Sequence, residues 1–174
     1  MTDTSTSQSH KHAAFSAFVS EMHPGALRFA SMLLGSHANM APDVVQKACL
    51  SAWRKLDSQR EPGRMPGWFR TIILNEVRSY FRWLNVRQKA KHLLGLTQAQ
   101  HDASPDHGLR ARLECALDTL SLKQREVFVL VYLNDLSVPE AAQIIGCAPG
   151  TAKSHLHRAI VKLRDTLNDL WSPS

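Results

Sequence analysis

The sequence predicts an all-α fold: two small helical domains joined by a flexible linker, the C-terminal one a helix-turn-helix. Three observations carry this expectation. Nearly every apolar pattern repeats at the helical period, and no alternating strand pattern occurs. In mid-chain, QKAKHLLGLTQAQHDASPDHG breaks the periodicity with Ser, Pro, Asp, Gln and Gly, the composition of a linker. Near the C-terminus, GCAPGTAKSHLHRAIVKL sets a Pro and a Gly ahead of Ala152, Leu156, Ala159, Leu163 and Leu167 at helical spacing. The expected boundaries are a disordered tail over residues 1–12, a first domain over 13–91, a linker over 92–108 and a second domain over 109–174.

The elements follow in order. A first helical run from about Ala14 places Phe15, Phe18, Val19 and Met22 on one stripe. Pro24 fits the first turn of a further helix, which Gly35 stops after Leu34. The next helix starts near Pro42, burying Val45, Cys49, Ala52, Trp53 and Leu56 and turning Asp43, Gln46, Lys47, Leu50 and Arg54 outward. DSQREPGRMPG, with two prolines and two glycines, is a loop. A long helix runs from Trp68 to about Trp83 or beyond. After the linker, LRARLECALDTL and LKQREVFVLVYL form two helices, the second apolar on almost every side and therefore buried; Ser121 caps it, and Gln124 completes a capping box. Helices at about Val138–Ile145 and Pro149–Leu170 end the chain.

Composition narrows the function classes. The 174 residues carry a net charge of +6, with a pI near 9.6, which favours an anionic partner, nucleic acid ahead of a membrane surface. No apolar run is long enough to span a bilayer, so no membrane insertion is expected. The opening MTDTSTSQSHKH lacks the apolar segment of a signal peptide, and a cytoplasmic location is the expectation. The three cysteines, Cys49, Cys115 and Cys147, are far apart and odd in number, as reduced, partly buried thiols would be.

LSVPEAAQIIGCAPGTAKSHLHRA has the form of a helix-turn-helix. Ser137 caps a short helix with Ala141, Ala142 and Ile145 inward, Gly146 takes the left-handed backbone that ends it, and Pro149 opens the next helix. On a helical wheel with Ala152, Leu156, Ala159 and Leu163 buried, Gly150, Ser154 and Arg158 point directly away, flanked by Thr151, Lys153 and His157. Such a face suits a major groove: small residues admit the backbone, hydroxyls reach phosphates or base edges, and Arg158 can fork onto guanine. His155 falls nearer the buried stripe. His155 and His157 do not share a face, so no metal pair, and no metal site, is expected there.

VRSYFRWLNVRQKAK holds Arg78, Arg82, Arg87, Lys89 and Lys91 with no acid, interleaved with Tyr80, Phe81 and Trp83. The cations can track a phosphate backbone. The aromatics can stack on unpaired bases, and Tyr80, Trp83 and Leu84 equally fit the next turn of a core stripe.

QREVFVLVYLNDLSVPEAAQIIGCAPGTAKSHLHRA resembles the C-terminal domain of extracytoplasmic-function (ECF) sigma factors, with their Q-R-E-V run, L-S-x-x-E-x-A turn and G-T-x-K-S-x-L-H-R-A recognition helix. LRFASMLLGSHANMAPDVVQKACLSAWRKL resembles the family's polymerase-docking helices, and WFRTIILN, residues 68–75, resembles its W-L-x-R-I-A-x-N, which opens the helix reading the minus-ten element. The resemblance covers nearly the whole chain after the tail. It implies a dissociable specificity subunit that brings core RNA polymerase to promoter DNA, with residues 13–91 as sigma region 2 and 109–174 as region 4, and with an anti-sigma factor as a further partner. It places the minus-ten asparagine on Asn75 and the base-pocket wall on the loop Gln59 to Met65 with Arg64; the cationic run beside that helix adds Arg78 and Arg82 as further minus-ten candidates. Polymerase docking falls on Asp43, Gln46, Lys47 and Leu50, and minus-thirty-five reading on Thr151, Lys153, Ser154, His157 and Arg158. Three positions depart from the family pattern. Lys47 replaces a glutamate in the docking helix, Thr71 replaces an arginine, and His155 replaces an arginine in the recognition helix.

No phosphate-binding loop, nucleophile pair or paired carboxylates on a shared face is present, so neither catalytic residues nor a cofactor is expected. The alternative is a helix-turn-helix regulator acting outside the polymerase. It would footprint a palindromic operator as a dimer, whereas a sigma factor needs core enzyme.

Overall fold

The computed structural model describes residues 3–56, 65–94 and 109–171, and every regular element among them is helical. Helix α1 (Asp3–Leu34) is continuous. It therefore takes in most of the stretch expected as a disordered tail and both runs expected on either side of Pro24. Pro24 is exposed, so the backbone bond that it removes is on the water side, where the carbonyl left without its partner can be solvated. Of the expected stripe, Phe15, Phe18 and Met22 pack on the core, and Val19 is half-buried beside them.

Gly35 ends α1 with φ +60, a conformation that costs glycine little. A 3-10 segment, Gly35–Met40, leads into α2 (Ala41–Lys55), with Pro42 in its first turn. The buried face of α2 is Ala41, Val44, Val45, Ala48 and Ala52. The expectation erred on Trp53, which is 36% exposed, and on Cys49, which is half-buried. Small residues at 41, 48 and 52 bring the α2 backbone close to its neighbours, so bulk at 53 is pushed to the rim, where the Trp53 ring meets Phe15 at 5.2 Å.

Helix α3 (Met65–Leu93) buries Phe69, Ile72, Ile73, Leu74 and Val77. It continues to the edge of the expected linker; residues 95–108 of that linker lie outside the described residues. Helices α4 (Leu109–Asp118), α5 (Leu122–Tyr132), α6 (Val138–Ile145) and α7 (Pro149–Trp171) complete the chain. Ser121 and Gln124 form the expected capping box on α5, and Ser137 and Glu140 form another on α6. Ser137 Oγ donates to Glu140 Oε2 at 2.6 Å and Ser137 N donates to it at 2.8 Å; the Ser137 side chain is first among the causes that hold the Glu140 carboxyl below its ordinary value. Ser137→Ala is expected to cost about 1 kcal/mol, read as a lower denaturant midpoint at unchanged slope.

Gly146 closes α6 at φ 77, ψ 46, and Gly146 N and Cys147 N both donate to Ala142 O. Beneath α7, Ala152, Leu156, Ala159 and Leu163 are buried, as the wheel requires. Cys115 is exposed, contrary to the expectation of a partly buried thiol, while Cys147 is half-buried. Burial pushes the Cys49 thiol up, away from the reactive thiolate.

The two lobes pack directly on each other. One apolar cluster runs without a break from Phe29, Leu33 and Leu34 on α1 through Phe69 and Ile73 on α3 to Val127, Val129 and Leu130 on α5 and Ala142 and Ile145 on α6. Charged residues line the seam. Arg125 on α5 is buried, pairs with Asp118 at 2.8 Å, and donates to Leu33 O at the end of α1 at 3.1 Å. Burial pulls the Arg125 guanidinium below its ordinary value, and Asp118 opposes this. Arg78 on α3 grips Glu126 on α5, whose side chain is 0% exposed.

Candidate nucleic-acid and polymerase interfaces

Ala152 and Leu156 seat the first two turns of α7 on the core, which turns the opposite face of the helix to the surface. Gly150, Thr151, Lys153, Ser154, His157 and Arg158 are all exposed there, while His155 is half-buried. Ser154 Oγ donates to Gly150 O at 3.0 Å, which leaves its oxygen free to accept. The face continues into an open hollow of about 380 Å³ lined by Gln124, His157, Arg158, Val161, Lys162 and Asp165. Lys162 and Gln124 were not among the expected site residues. Lys162 was detectable, since it stands one turn beyond Arg158 on the same stripe; Gln124 comes from α5 and needed the fold.

On α3, Asn75 is exposed and Arg78 half-buried, one turn apart, with Arg78 Nη1 at 3.4 Å from Asn75 Oδ1. The rest of the Arg78 fork is engaged by the other lobe: Nε donates to Glu126 Oε1 at 2.7 Å, and Nη2 donates to Glu126 Oε2 at 2.8 Å and to Ile145 O at 3.1 Å. Arg82 is exposed and donates to Ser79 Oγ at 2.9 Å. Arg64 and the loop residues 59–64 lie outside the described residues. Thr71 donates back to Gly67 O at 3.0 Å, so its hydroxyl proton is engaged within α3.

The structure separates the rings: Tyr80 keeps the core stripe, and Trp83 leaves it for the surface. Tyr80 belongs to the core edge: its hydroxyl lies 3.1 Å from His37 Nδ1, and its ring meets Phe81 at 5.5 Å. Trp83 is 52% exposed with Arg87 5.2 Å over its ring, the pairing of cation and aromatic face that single strands exploit.

The outward face of α2 presents Asp43, Gln46, Lys47 and Leu50, all exposed, with Leu50 at 54%. Asp43 and Lys47 border a depression of about 290 Å³ between α2 and α3, whose other walls are Met40, Val44, Glu76, Ser79, Tyr80 and Trp83. Its apolar floor and mixed-charge rim suit an amphipathic helix. Glu76 and Ser79 were not among the expected site residues, because they come from α3 and only the packing brings them beside Asp43 and Lys47.

Among the described residues, no group of His, Cys, Asp and Glu could hold a metal ion, and no helix is long and apolar enough to cross a membrane.

Comparison with known proteins agrees with this layout. The sigma-70 region 2 family matches residues 18–85, and the sigma-70 region 4 family matches residues 110–163. The chain is 36% identical over 143 residues to the ECF RNA polymerase sigma factor EcfG of Rhodopseudomonas palustris, covering 79% of this chain and 77% of that protein. It is 32% identical over 158 residues to the RNA polymerase sigma factor CnrH of Cupriavidus metallidurans, covering 84% and 83%. Among solved structures, the sigma factor RpoE of Bartonella quintana in complex with the anti-sigma factor NepR is similar with a TM-score of 0.73 at 31% identity, over 89% of this chain and 97% of that one. CnrH in complex with the cytosolic domain of CnrY is similar with a TM-score of 0.66 at 29% identity, over 92% and 91%.

Proposed function

The chain belongs to the ECF RNA polymerase sigma factors, and from that premise we propose how its residues divide the work of directing core polymerase to a promoter. Region 2, residues 13–91, docks through Asp43, Gln46, Lys47 and Leu50 and captures the melted minus-ten strand with Asn75, Arg64, Arg78 and Arg82. Region 4, residues 109–174, reads the minus-thirty-five duplex with Thr151, Lys153, Ser154, His157 and Arg158. The observation that carries this reading is the exposed face of α7, set by the α6 cap and the Gly146 turn, in the same chain as the exposed Asn75 face of α3. Two separate nucleic-acid faces suit a subunit that touches a promoter twice, and the regulator acting outside the polymerase loses its support.

The work is binding alone, without a catalytic group or cofactor, and its setting is the cytoplasm, where polymerase and promoter are. An anti-sigma factor is proposed as a further partner, since RpoE and CnrH are found in complexes with NepR and the cytosolic domain of CnrY. Lys47, where the family carries a glutamate, reverses one charge on the docking rim, so the polymerase surface opposite should be met with a different salt dependence.

Run-off transcription from a genomic library with purified core polymerase tests the whole reading. Discrete start sites absent with core alone are expected, and their absence would overturn it. Asn75→Ala is expected to lower open-complex formation about tenfold, on the scale of one lost base contact, with polymerase binding unchanged; a loss of polymerase binding would remove Asn75 from the minus-ten role.

A further inference from the structure

We propose that the C-terminal half of α3 is a docking stripe for a protein partner, and that its occupant is an amphipathic helix with acidic flanks. The docking stands on the exposed face itself; its consequence, competition with the promoter strand, rests on the reading of α3 as the strand-reading helix.

Trp83, Val86, Leu93 and Leu94 are 52%, 67%, 85% and 72% exposed, and the last three are the most exposed large apolar side chains among the described residues. Single apolar residues on a surface need no explanation, but a contiguous set marks an interaction site. These are contiguous: at 3.6 residues per turn, Trp83, Val86, Ala90, Leu93 and Leu94 fall in one stripe about 100° wide. Leu94 N donates to Ala90 O at 3.1 Å, which carries the register just past the end of α3. Cations edge the stripe on both sides, Arg87 and Lys91 along one and Arg82 and Lys89 along the other, and no Asp or Glu occurs in residues 77–101. Arg87 lies 5.2 Å over the Trp83 ring, so its charge is held at the stripe.

The two features together select the occupant. A nucleic-acid strand alone would meet the cations but leave Val86, Leu93 and Leu94 in water, with only Trp83 to stack on a base. A bilayer would take both, yet the stripe begins at the depression where Asp43 and Glu76 stand beside Trp83, and those carboxylates repel an anionic surface. A helix laid along α3 buries the stripe against its own apolar face and sets acids against both rows of cations, as in helix-in-groove recognition and in paired helices with flanking charges. From Trp83 to Leu94 the stripe is about 16 Å long, about three turns of such a partner. Apolar contact supplies the affinity, and the absence of any acid along the stripe selects a partner whose flanks are negative. Arg82 is both a rim cation here and an assigned minus-ten contact, so a bound acidic helix occupies it with carboxylate and keeps the strand away.

The test uses the full chain and a fluorescein-labelled synthetic peptide of about 18 residues, with Leu at three- and four-residue spacing and Glu on both flanks, followed by fluorescence anisotropy. A second peptide carries Lys in place of every Glu; phosphatidylglycerol vesicles and a random-sequence single-stranded DNA pool are the other probes. The acidic peptide is expected to bind and the lysine peptide is not. Val86→Ser combined with Leu93→Ser, and separately Arg87→Glu, are expected to weaken the acidic peptide about tenfold, the scale of losing an interface anchor. Arg164→Glu makes the same charge change on the exposed side of α7 and is expected to leave binding unchanged. The DNA pool should displace the peptide. An equal loss with Arg164→Glu, or none with the two serines, would show that the peptide answers to net charge alone and would overturn the docking. Loss of vesicle binding with the two serines while the peptide still binds would make the face a membrane contact and overturn it as well. Simultaneous binding of peptide and DNA would overturn the competition. All these positions are exposed, so each variant should keep the wild-type helix content by circular dichroism. Run-off transcription by wild type reports on the sigma reading separately, so its failure and the failure of docking are distinguishable.

Discussion

Phe69→Ala is expected to destabilise the protein by about 3–5 kcal/mol, the range for emptying a buried aromatic site, and to lower its melting temperature by on the order of 10 °C. Phe69 is 1% exposed and lies edge-on to Phe18 of α1 at 5.7 Å, so its loss opens a hole between α1 and α3. The consequence for function is direct. Phe69, Ile73 and Val77 form the buried stripe of the helix whose outer side carries Asn75, and a loosened stripe lets that side rotate. The variant should therefore lose promoter opening at temperatures where helix content is still near normal. Thermal melts by circular dichroism beside transcription at graded temperatures would check it; a change below about 1 kcal/mol would mean that Phe69 is not held as the packing indicates.

Most of the helices and their caps were readable from sequence because they depend on neighbours within one turn. Ser137, Glu140, Gly146 and Pro149 specify the α6–α7 turn by local hydrogen bonds and allowed backbone angles, and the wheel of α7 found its buried stripe. The same wheel on α2 failed at Trp53, since hydrophobicity says only that a residue prefers burial, and the small residues Ala48 and Ala52 decide how near the neighbouring helices come. Pro24 misled for a related reason: its missing donor is costly in a buried helix and cheap on the exposed side where it stands.

The seam between lobes was the least legible part. Its residues, Arg78, Asp118, Arg125 and Glu126, are charged, and a charged residue in a helical pattern is ordinarily assigned to water. Arg125 and Glu126 are buried, Glu126 because Arg78 arrives from 48 residues away in the chain and Arg125 because the end of α1 offers it a carbonyl. No periodicity carries that information. The assignment of Arg78 to DNA came from an acid-free cationic run, and such a run could not show that Glu126 is within reach.

Arg158→Ala is expected to weaken binding of the holoenzyme to its minus-thirty-five duplex by about 1–3 kcal/mol, roughly five- to a hundredfold, the scale of one arginine fork on a base. Arg158 is exposed on α7, so removing it should change stability by no more than about 0.5 kcal/mol. It is on a different lobe from the α2 docking face, so polymerase affinity should hold. The decisive comparison is with Lys162→Ala, one turn further along the same hollow. A lysine contacting phosphate loses affinity evenly across sequences and reduces the salt slope by about one, whereas an arginine reading a base loses preference at one position. Binding measured on matched and single-substituted duplexes at several salt concentrations separates the two. If Arg158→Ala weakens every duplex alike, Arg158 holds the backbone, and base reading passes to Lys153, Ser154 and His157 on the same face.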